Sequence, residues 1–193
     1  INVMVNAALK AGKGLKRDFG ELEHLQVSTK GPGDFVSIAD KRSEKILYQE
    51  LEKARPGYGF LMEESGNVDG RDKTHRWIVD PLDGTVNFLH GIPFFCISLG
   101  LEREGALVAG VVYNPANDDI FVAERGSGAY CNDRRIRVSK RSAMADTLLS
   151  AGFSSKRADD RIRNERQIAA LETLPAGMRR LGATALEMSY VAA

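Results

Sequence analysis

The stretch that decides the fold runs from Arg76 to His90 and reads RWIVDPLDGTVNFLH. Its apolar run Trp77–Val79 predicts a buried strand, because β-branched and aromatic residues suit a covered, pleated surface. Asp80 follows directly, and Pro81 is expected to stop the strand ladder because it has no N–H to donate. We therefore predict that the strand ends at Asp80 and presents this carboxylate at its edge.

The residues after this strand predict a site for a cation and an anion. Asp83 adds a second carboxylate, Leu82 a free carbonyl, and Gly84-Thr85 can open a short helix whose free N–H groups suit an anion. Hard oxygen ligands beside such a helix end are typical of a Mg²⁺-assisted phosphate site. The same residues have a simpler interpretation, since Asp-Gly pairs form turns and Asp or Thr often only cap a helix.

One competing phosphatase class is excluded by the spacing of the carboxylates. Phosphatases of the haloacid-dehalogenase class carry Asp-x-Asp-Gly-Thr, with the first Asp as the nucleophile. Here two residues separate Asp80 from Asp83, so a nucleophile and an acid would not share one strand-end geometry.

A second predicted strand, residues 58–62, also ends on carboxylates, Glu63 and Glu64. Hydrolysis of a phosphate monoester needs charge neutralisation and an in-line water, and bound metal can supply both. We assign metal binding to Glu63, Asp80, Asp83 and the Leu82 carbonyl, and orientation of the attacking water to Thr85 with Glu63. By itself, the Glu63-Glu64 pair would be no more than a solvated strand end.

Two further residues are candidates for the edge of the site. Asp40 stands three residues after Ser37, a capping-box spacing that predicts a helix running to about Ala54. Asp40 could thus be only a helix cap, and Lys30, in a turn-rich loop, only a loop charge.

Composition excludes several classes of protein. The 193 residues hold 27 Lys plus Arg against 26 Asp plus Glu, so no overall field attracts nucleic acid or a membrane. The one dense basic run, within residues 134–141, is explained by charge that protects a hairpin edge. No apolar run of about 18 residues and no signal-peptide pattern occur, and two cysteines form no disulfide framework. We predict a cytoplasmic protein without membrane contact.

The order of predicted elements indicates an α/β (α+β) protein with two lobes. A helix over residues 2–18, a strand over 22–29 and the helix from Ser37 precede the central strand. Antiparallel strands follow, with a hairpin about Glu104-Gly105 and a last strand over 129–137. A strand and loop (148–153), a helix (159–174), a small strand (178–181) and a final helix then alternate. We therefore predict an N-terminal lobe of residues 1–145 and the start of an α/β lobe at 146–193.

Several motifs together resemble one known family. They are DFVSIAD at 34–40, MEESG at 62–66, WIVDPLDGTVNF at 77–88, GVVYNP at 110–115, ERGSGA at 124–129 and RRLGATAL at 179–186. The chain resembles the inositol monophosphatase family, especially its bacterial SuhB-type members, over essentially its whole length. The resemblance implies a layered α/β/α/β/α sugar-phosphatase fold, Mg²⁺ dependence, inhibition by Li⁺ and a homodimer.

The resemblance also implies a role for individual positions. Metal ligands are matched by Glu63, Asp80, the Leu82 carbonyl and Asp83, and the water-positioning residue by Thr85. Phosphate contacts match Gly84 and Thr85, contacts to the inositol ring match Gly182, Ala183 and Thr184, and site-edge positions match Lys30, Asp40 and, in the Glu-Glu pair, Glu64.

Two departures from the family pattern stand out. Val86 occupies the position where most members carry a second Thr. The family's C-terminal Trp-Asp motif, whose Asp completes the metal site, and a substrate-binding Glu before it have no counterpart before Ala193. We therefore expect the sequence to be a fragment of a longer chain, trimmed also at Ile1.

The sequence leaves the substrate and even catalysis open. Inositol-1-phosphate is the first expectation, and fructose-1,6-bisphosphate, 3′-phosphoadenosine phosphates and histidinol phosphate are alternatives within the superfamily. The short polar segment 67–75 favours a small monophosphate. A non-catalytic binding role, such as contact with a transcription complex, is the alternative from another class, although the overall charge does not indicate it.

Overall fold

The computed structural model describes residues 1–22, 27–31, 34–152, 158–171 and 176–193. For residues 27–31, 34–36 and 158–161 it describes the backbone alone. The helices are α1 Asn2–Gly20, α2 Ile38–Ala54, α3 Thr85–Leu89, α4 Ala158–Leu171 and α5 Thr184–Val191. The strands are β1 Val27–Gly31, β2 Asp34–Ser37, β3 Gly59–Met62, β4 Gly66–Val68, β5 His75–Asp83, β6 Cys96–Arg103, β7 Ala106–Asn114, β8 Asp119–Glu124, β9 Gly128–Cys131, β10 Arg134–Arg135, β11 Leu148–Ser150 and β12 Gly177–Arg179. This mixed α/β architecture confirms the predicted fold class.

Within the described part of the chain, the main sheet has eight strands in the order β10-β9-β8-β7-β6-β5-β3-β4. Its neighbours run antiparallel, as predicted, except that β3 and β5 are parallel and pair Met62 with Val79. Parallel strands end at the same edge of a sheet. This single parallel pair is therefore what brings the two predicted carboxylate-bearing strand ends together.

The prediction that Pro81 ends the central strand was wrong. Strand β5 continues to Asp83, and its pairing with β6 resumes at Asp83 and Cys96 after a shift in register beyond Asp80. A proline has no N–H to donate to the neighbouring strand. A strand can still contain one at a bulge, because the ladder of hydrogen bonds is already interrupted there. The bulge, rather than a strand end, turns the Asp80–Asp83 segment toward the site.

Three other predicted boundaries differ from the structure. Residues 66–68, within and beside the predicted polar loop, form β4. The single strand predicted over 129–137 is instead the hairpin β9–β10, because Asn132 and Asp133 adopt φ values of 47° and 64° that suit a tight two-residue turn. Of the predicted strand 22–29, residues 23–26 lie outside the described part, as do residue 153 and residues 172–174 of the predicted loop and helix.

The two faces of the main sheet pack against different helices. Along β7, Val111 and Tyr113 join the core under α1 and α2, whereas Val112 between them contacts the small core formed with Leu186 of α5. Side chains alternate between the faces of a strand. Helices α1 and α2 therefore cover one face, and α5 lies on the other, where β5, β6 and β7 contact it.

Helix α1 approaches the sheet closely at a single glycine. A Cβ on Gly12 would lie 2.4 Å from Cε1 of the buried Tyr113 ring, whereas a Cβ on Gly14 would meet nothing within 4 Å. We expect Gly12→Ala to lower the free energy of unfolding by about 1–3 kcal/mol through overpacking. Gly14→Ala, the matched control, should raise it by about 0.5–1 kcal/mol, because alanine favours the helix. Urea unfolding of both variants measures these changes, and equal effects would contradict the close approach.

The C-terminal elements form a separate small sheet but also pack back onto the main one. Among the described residues, strands β11 and β12 pair in parallel with each other and with no other strand, while α5 contacts the main sheet. We retain a lobe boundary near residue 146 as a proposal. Across the described ranges, no helix combines the length and apolar character needed to cross a bilayer.

Candidate active site

The parallel register of β3 and β5 places Glu63 beside Asp80. The Glu63 N–H donates to the carbonyl of Val79 at 3.1 Å, which extends the ladder by one residue beyond β3. The register pairs Met62 with Val79, so the residues that follow them, Glu63 and Asp80, carry their carboxyl groups at the same end of the two strands. Two carboxyl groups from different parts of the sequence therefore meet at one sheet edge, as the sequence predicted.

Burial and the neighbouring carboxylates make Asp80 a much weaker acid than usual. Burial, the negative charges of Glu63 and Asp83 and the hydrogen bond to Glu63 together raise the pKa of Asp80 to about 8. Like charges at close range disfavour ionisation of both groups. A cation bound between two such carboxylates removes their repulsion. The Glu63–Asp80 pair is therefore the most favourable position for a positive charge at this site.

The bulge in β5 fixes the segment between the two aspartates. The Leu82 N–H donates to Oδ1 of Asp80 at 3.0 Å, and the Leu82 carbonyl accepts from the Thr85 hydroxyl at 3.0 Å. From α2, the Ser43 hydroxyl donates to the Pro81 carbonyl at 2.9 Å. Backbone oxygens and carboxylates are thus held close together at this turn.

Asp83 connects the turn to α5. Its Oδ2 accepts from the Ala185 N–H at 2.6 Å and lies 3.9 Å from the Cys96 thiol. Burial raises the pKa of Asp83, while the N–H groups of Ala185 and Thr184 act in the opposite direction. Asp83 therefore faces the N-terminal end of α5 and acts on Asp80 through its charge.

Thr85 is paired with a buried acid that is distant in sequence. Its hydroxyl lies 3.3 Å from Oδ1 of Asp40, besides its 3.0 Å contact with the Leu82 carbonyl. The other Asp40 oxygen accepts from the N–H and hydroxyl of Ser37, which completes the predicted capping box of α2. Burial raises the pKa of Asp40 although these Ser37 bonds oppose the shift. Asp40 is therefore both a helix cap and a partner of Thr85.

Gly84 allows the chain to turn tightly beneath the predicted substrate-contacting segment. Its φ is +90°, and a Cβ there would lie 2.9 Å from the Ala183 Cβ and 3.1 Å from the Phe94 carbonyl oxygen. Ala183 is fully buried in the small core. The Gly84 turn and the turn at Gly182–Thr184, predicted from separate motifs, therefore lie against each other.

The Leu181–Gly182 turn is held by two side chains that the sequence did not single out. Asn87 donates to the Leu181 carbonyl at 2.6 Å. The buried Glu187 accepts from the N–H groups of Leu181 and Gly182 at 2.9 and 2.7 Å, and also from the Ser150 hydroxyl. These contacts fix the backbone of the turn.

Two predicted edge residues have different outcomes. Glu64 lies directly after Glu63, and its N–H donates to Glu44 at 2.9 Å. The side chain of Lys30 lies outside the described residues, although its backbone forms part of β1. Its role stays a prediction.

The donor set suits a hard cation, but it is not a preformed cage. Among the residues that the structure describes, no three His, Cys, Asp or Glu side chains form a ready metal cluster. Glu63 and Asp80 contact each other, while Asp83 is engaged by Ala185. All donors here are oxygens, the ligand type that Mg²⁺ selects, and Mg²⁺ commonly takes one or two carboxylates and retains waters. The residues present therefore fit this ion.

Comparison with known proteins identifies the family. The family model described as the inositol monophosphatase family matches residues 1–193. The chain belongs to this family. Its membership makes it a phosphatase, and the predicted resemblance is confirmed.

Two curated relatives illustrate the range of names within the family. An "Inositol-1-monophosphatase" of Mesorhizobium japonicum is 56% identical, with 100% of this chain and 73% of the relative covered. A "Nus factor SuhB" of Xylella fastidiosa is 39% identical, with 100% of this chain and 69% of the relative covered.

Solved structures agree with the fold. The extragenic suppressor protein suhB of Bartonella henselae has a TM-score of 0.94 at 54% identity, over 100% of this chain and 73% of that one. A structure described as IMPase/NADP phosphatase complexed with Mg²⁺ and phosphate has a TM-score of 0.73 at 26% identity, over 91% of this chain and 65% of that one.

Proposed function

We propose that this protein hydrolyses inositol-1-phosphate to inositol and phosphate with Mg²⁺. The observation that carries the proposal is the set of contacts around Leu82, whose N–H donates to Asp80 and whose carbonyl accepts from Thr85, the partner of Asp40. The bond from the Glu63 N–H to the Val79 carbonyl places Glu63 beside this set. Such an arrangement offers a cation site and a water-orienting hydroxyl within one edge of a sheet. Phosphoryl transfer depends almost entirely on positioning and charge stabilisation.

Each group has a distinct role in this proposal. Glu63, Asp80, Asp83 and the Leu82 carbonyl would hold Mg²⁺. When bound, this ion supplies charge neutralisation for the phosphoryl oxygens and acidifies water. The Thr85 hydroxyl has one proton, so donation to Asp40 or to Leu82 leaves its lone pairs free to accept a hydrogen bond from the attacking water.

Substrate contacts follow from the turns that meet beneath the site. The backbone at Gly84 and Thr85 would bind the phosphate, and Gly182, Ala183 and Thr184 would contact the inositol ring. The names of the relatives at 49–56% identity support inositol-1-phosphate as the substrate. Lithium sensitivity, a homodimer and a cytoplasmic location belong to the same proposal and follow from the family resemblance.

Phosphate release tests the proposal directly. We expect turnover of inositol-1-phosphate that requires Mg²⁺, stops with EDTA and falls with Li⁺. Fructose-1,6-bisphosphate, a 3′-phosphoadenosine phosphate and histidinol phosphate, assayed at the same concentration, should give at least about 10-fold lower kcat/KM, because they lack the contacts of the inositol ring. A higher value for any of them would reassign the substrate.

A binding role is the second candidate, and the names of relatives at 34–40% identity favour it. Contact with a transcription complex needs no carboxylate pair and no Thr85–Asp40 contact. The presence of both supports catalysis as the first function. Absence of Mg²⁺-dependent phosphate release from all four substrates would favour the binding role instead.

A further inference from the structure

Glu44 is a buried acid that the proposed chemistry does not use. It lies on α2 with only 4% of its surface exposed. One carboxylate oxygen, Oε2, accepts from the backbone N–H groups of Glu64 at 2.9 Å and Ser65 at 3.4 Å. The other oxygen, Oε1, accepts from the Ser65 hydroxyl.

This arrangement fixes the turn that directly follows Glu63. A buried carboxylate is costly unless several donors satisfy it, and hydrogen bonds from N–H groups to a charged acceptor are strong. Glu63 itself is held on its other side, because its own N–H donates to the Val79 carbonyl. The backbone of Glu63 is therefore anchored by the β5 ladder before it and by Glu44 after it.

The neighbouring residue on α2 holds the other half of the carboxylate pair. The Ser43 hydroxyl donates to the Pro81 carbonyl, in the residue that follows Asp80. Consecutive residues of one helix thus bind both segments that carry Glu63 and Asp80. Because a helix is rigid, it fixes the separation of the two segments.

We propose that Glu44 is a positioning residue that sets the cation affinity of the Glu63–Asp80 pair. It acts through the backbone N–H groups of Glu64 and Ser65 and through the Ser65 hydroxyl. The inference rests on the proposed function, since it takes Glu63 and Asp80 as cation ligands. Substitution of a residue that orients a metal ligand without touching the metal typically lowers metal affinity about 10-fold to 100-fold.

Glu187 provides an internal comparison for this arrangement. It also accepts two consecutive N–H groups, those of Leu181 and Gly182, and one serine hydroxyl, that of Ser150. A buried glutamate with the same set of hydrogen bonds therefore fixes a second turn beside the site. Glu187 holds the predicted substrate turn, whereas Glu44 holds the predicted ligand turn.

The test compares Glu44→Gln with Glu50→Gln in the purified protein. Both residues lie on α2, but Glu50 forms a partly exposed ion pair with Lys10 at 2.6 Å. Amide hydrogen exchange at Glu64 and Ser65, and Mn²⁺ binding followed by electron paramagnetic resonance of the free ion, are the two measurements. For Glu44→Gln we expect exchange at both amides to accelerate at least about 10-fold and Mn²⁺ affinity to fall about 10-fold or more. Glu50→Gln should change neither.

A milder variant keeps the test independent of folding. Ser65→Ala removes only the hydroxyl and leaves both N–H bonds to Glu44, so it should shift both measurements in the same direction but less. Unchanged exchange at Glu64 and Ser65 in Glu44→Gln would overturn the proposal. Faster exchange with unchanged Mn²⁺ affinity would overturn it as well. If the wild type bound no Mn²⁺, the proposed function would be contradicted, and Glu44 would have no cation affinity to set.

Discussion

Glu63→Gln is expected to lower kcat at least about 1,000-fold, the largest effect on turnover that we predict. The amide keeps the size of the side chain but loses the negative charge that, together with Asp80, would bind a cation. Removing a charge that stabilises the transition state costs more than removing an ordinary contact. Because the Glu63 side chain is exposed, the fold should remain intact. Phosphate release from inositol-1-phosphate at saturating Mg²⁺ measures the effect.

Asp69→Asn is the matched control for this prediction. Asp69 follows β4, the neighbour of β3, and its exposed carboxylate accepts a hydrogen bond from the Asn67 amide at 3.1 Å. It should retain wild-type kcat within about 2-fold, as surface substitutions usually do. Full turnover by Glu63→Gln, with an unchanged circular dichroism spectrum, would remove Glu63 from the metal site.

Asp83→Asn is a less clean test than the sequence suggested. From the motif alone, loss of Asp83 should stop turnover with little loss of stability. In the structure, its Oδ2 also accepts the Ala185 N–H at 2.6 Å. The variant therefore weakens the contact between β5 and α5, and about 1 kcal/mol of stability is expected to be lost with the charge-assisted bond.

The sequence predicted the parts of the site that lie close together along the chain. Asp80, Leu82, Asp83 and Thr85 fall within six residues, and a short apolar run before them fixes where they emerge. The strand that leads into Glu63 could also be located, because it ends on two carboxylates. The local sequence could not predict that β3 and β5 are parallel neighbours, because strand pairing depends on the whole sheet.

The residues that support the site were missed for a physical reason. Glu44 stands between Ser43 and Lys45 on α2, and Glu187 stands between Leu186 and Met188 on α5. In a helical pattern, a charged residue at such a position indicates the solvent face. Their burial depends on N–H groups that come from distant turns, and no local pattern reports those donors. The link of Asp40 to Thr85, which lies 45 residues away, was invisible for the same reason.

Asp80 should make the metal-free protein less stable as the pH rises. Its pKa is about 8 in the folded protein, against an ordinary value of 3.8. Between these two values the folded state retains a proton that the unfolded state has released, so the free energy of unfolding falls with increasing pH. The loss begins above about pH 4, is complete above about pH 8 and is on the order of a few kcal/mol.

Asp80→Asn is therefore expected to raise the Tm of the metal-free protein, by more at pH 8.5 than at pH 5. The amide cannot ionise, so the cost of burying a charge there and the repulsion with Glu63 and Asp83 both disappear. In the wild type, Mg²⁺ should restore much of the missing stability at pH 8.5, because a bound cation offsets the same repulsion. The variant should gain less from Mg²⁺, having lost one ligand. Thermal unfolding in EDTA and in Mg²⁺ at both pH values separates these effects, with Asp69→Asn as the control. If the Tm difference between Asp80→Asn and the wild type were equal at pH 5 and pH 8.5, ionisation of Asp80 would not be what destabilises the metal-free protein.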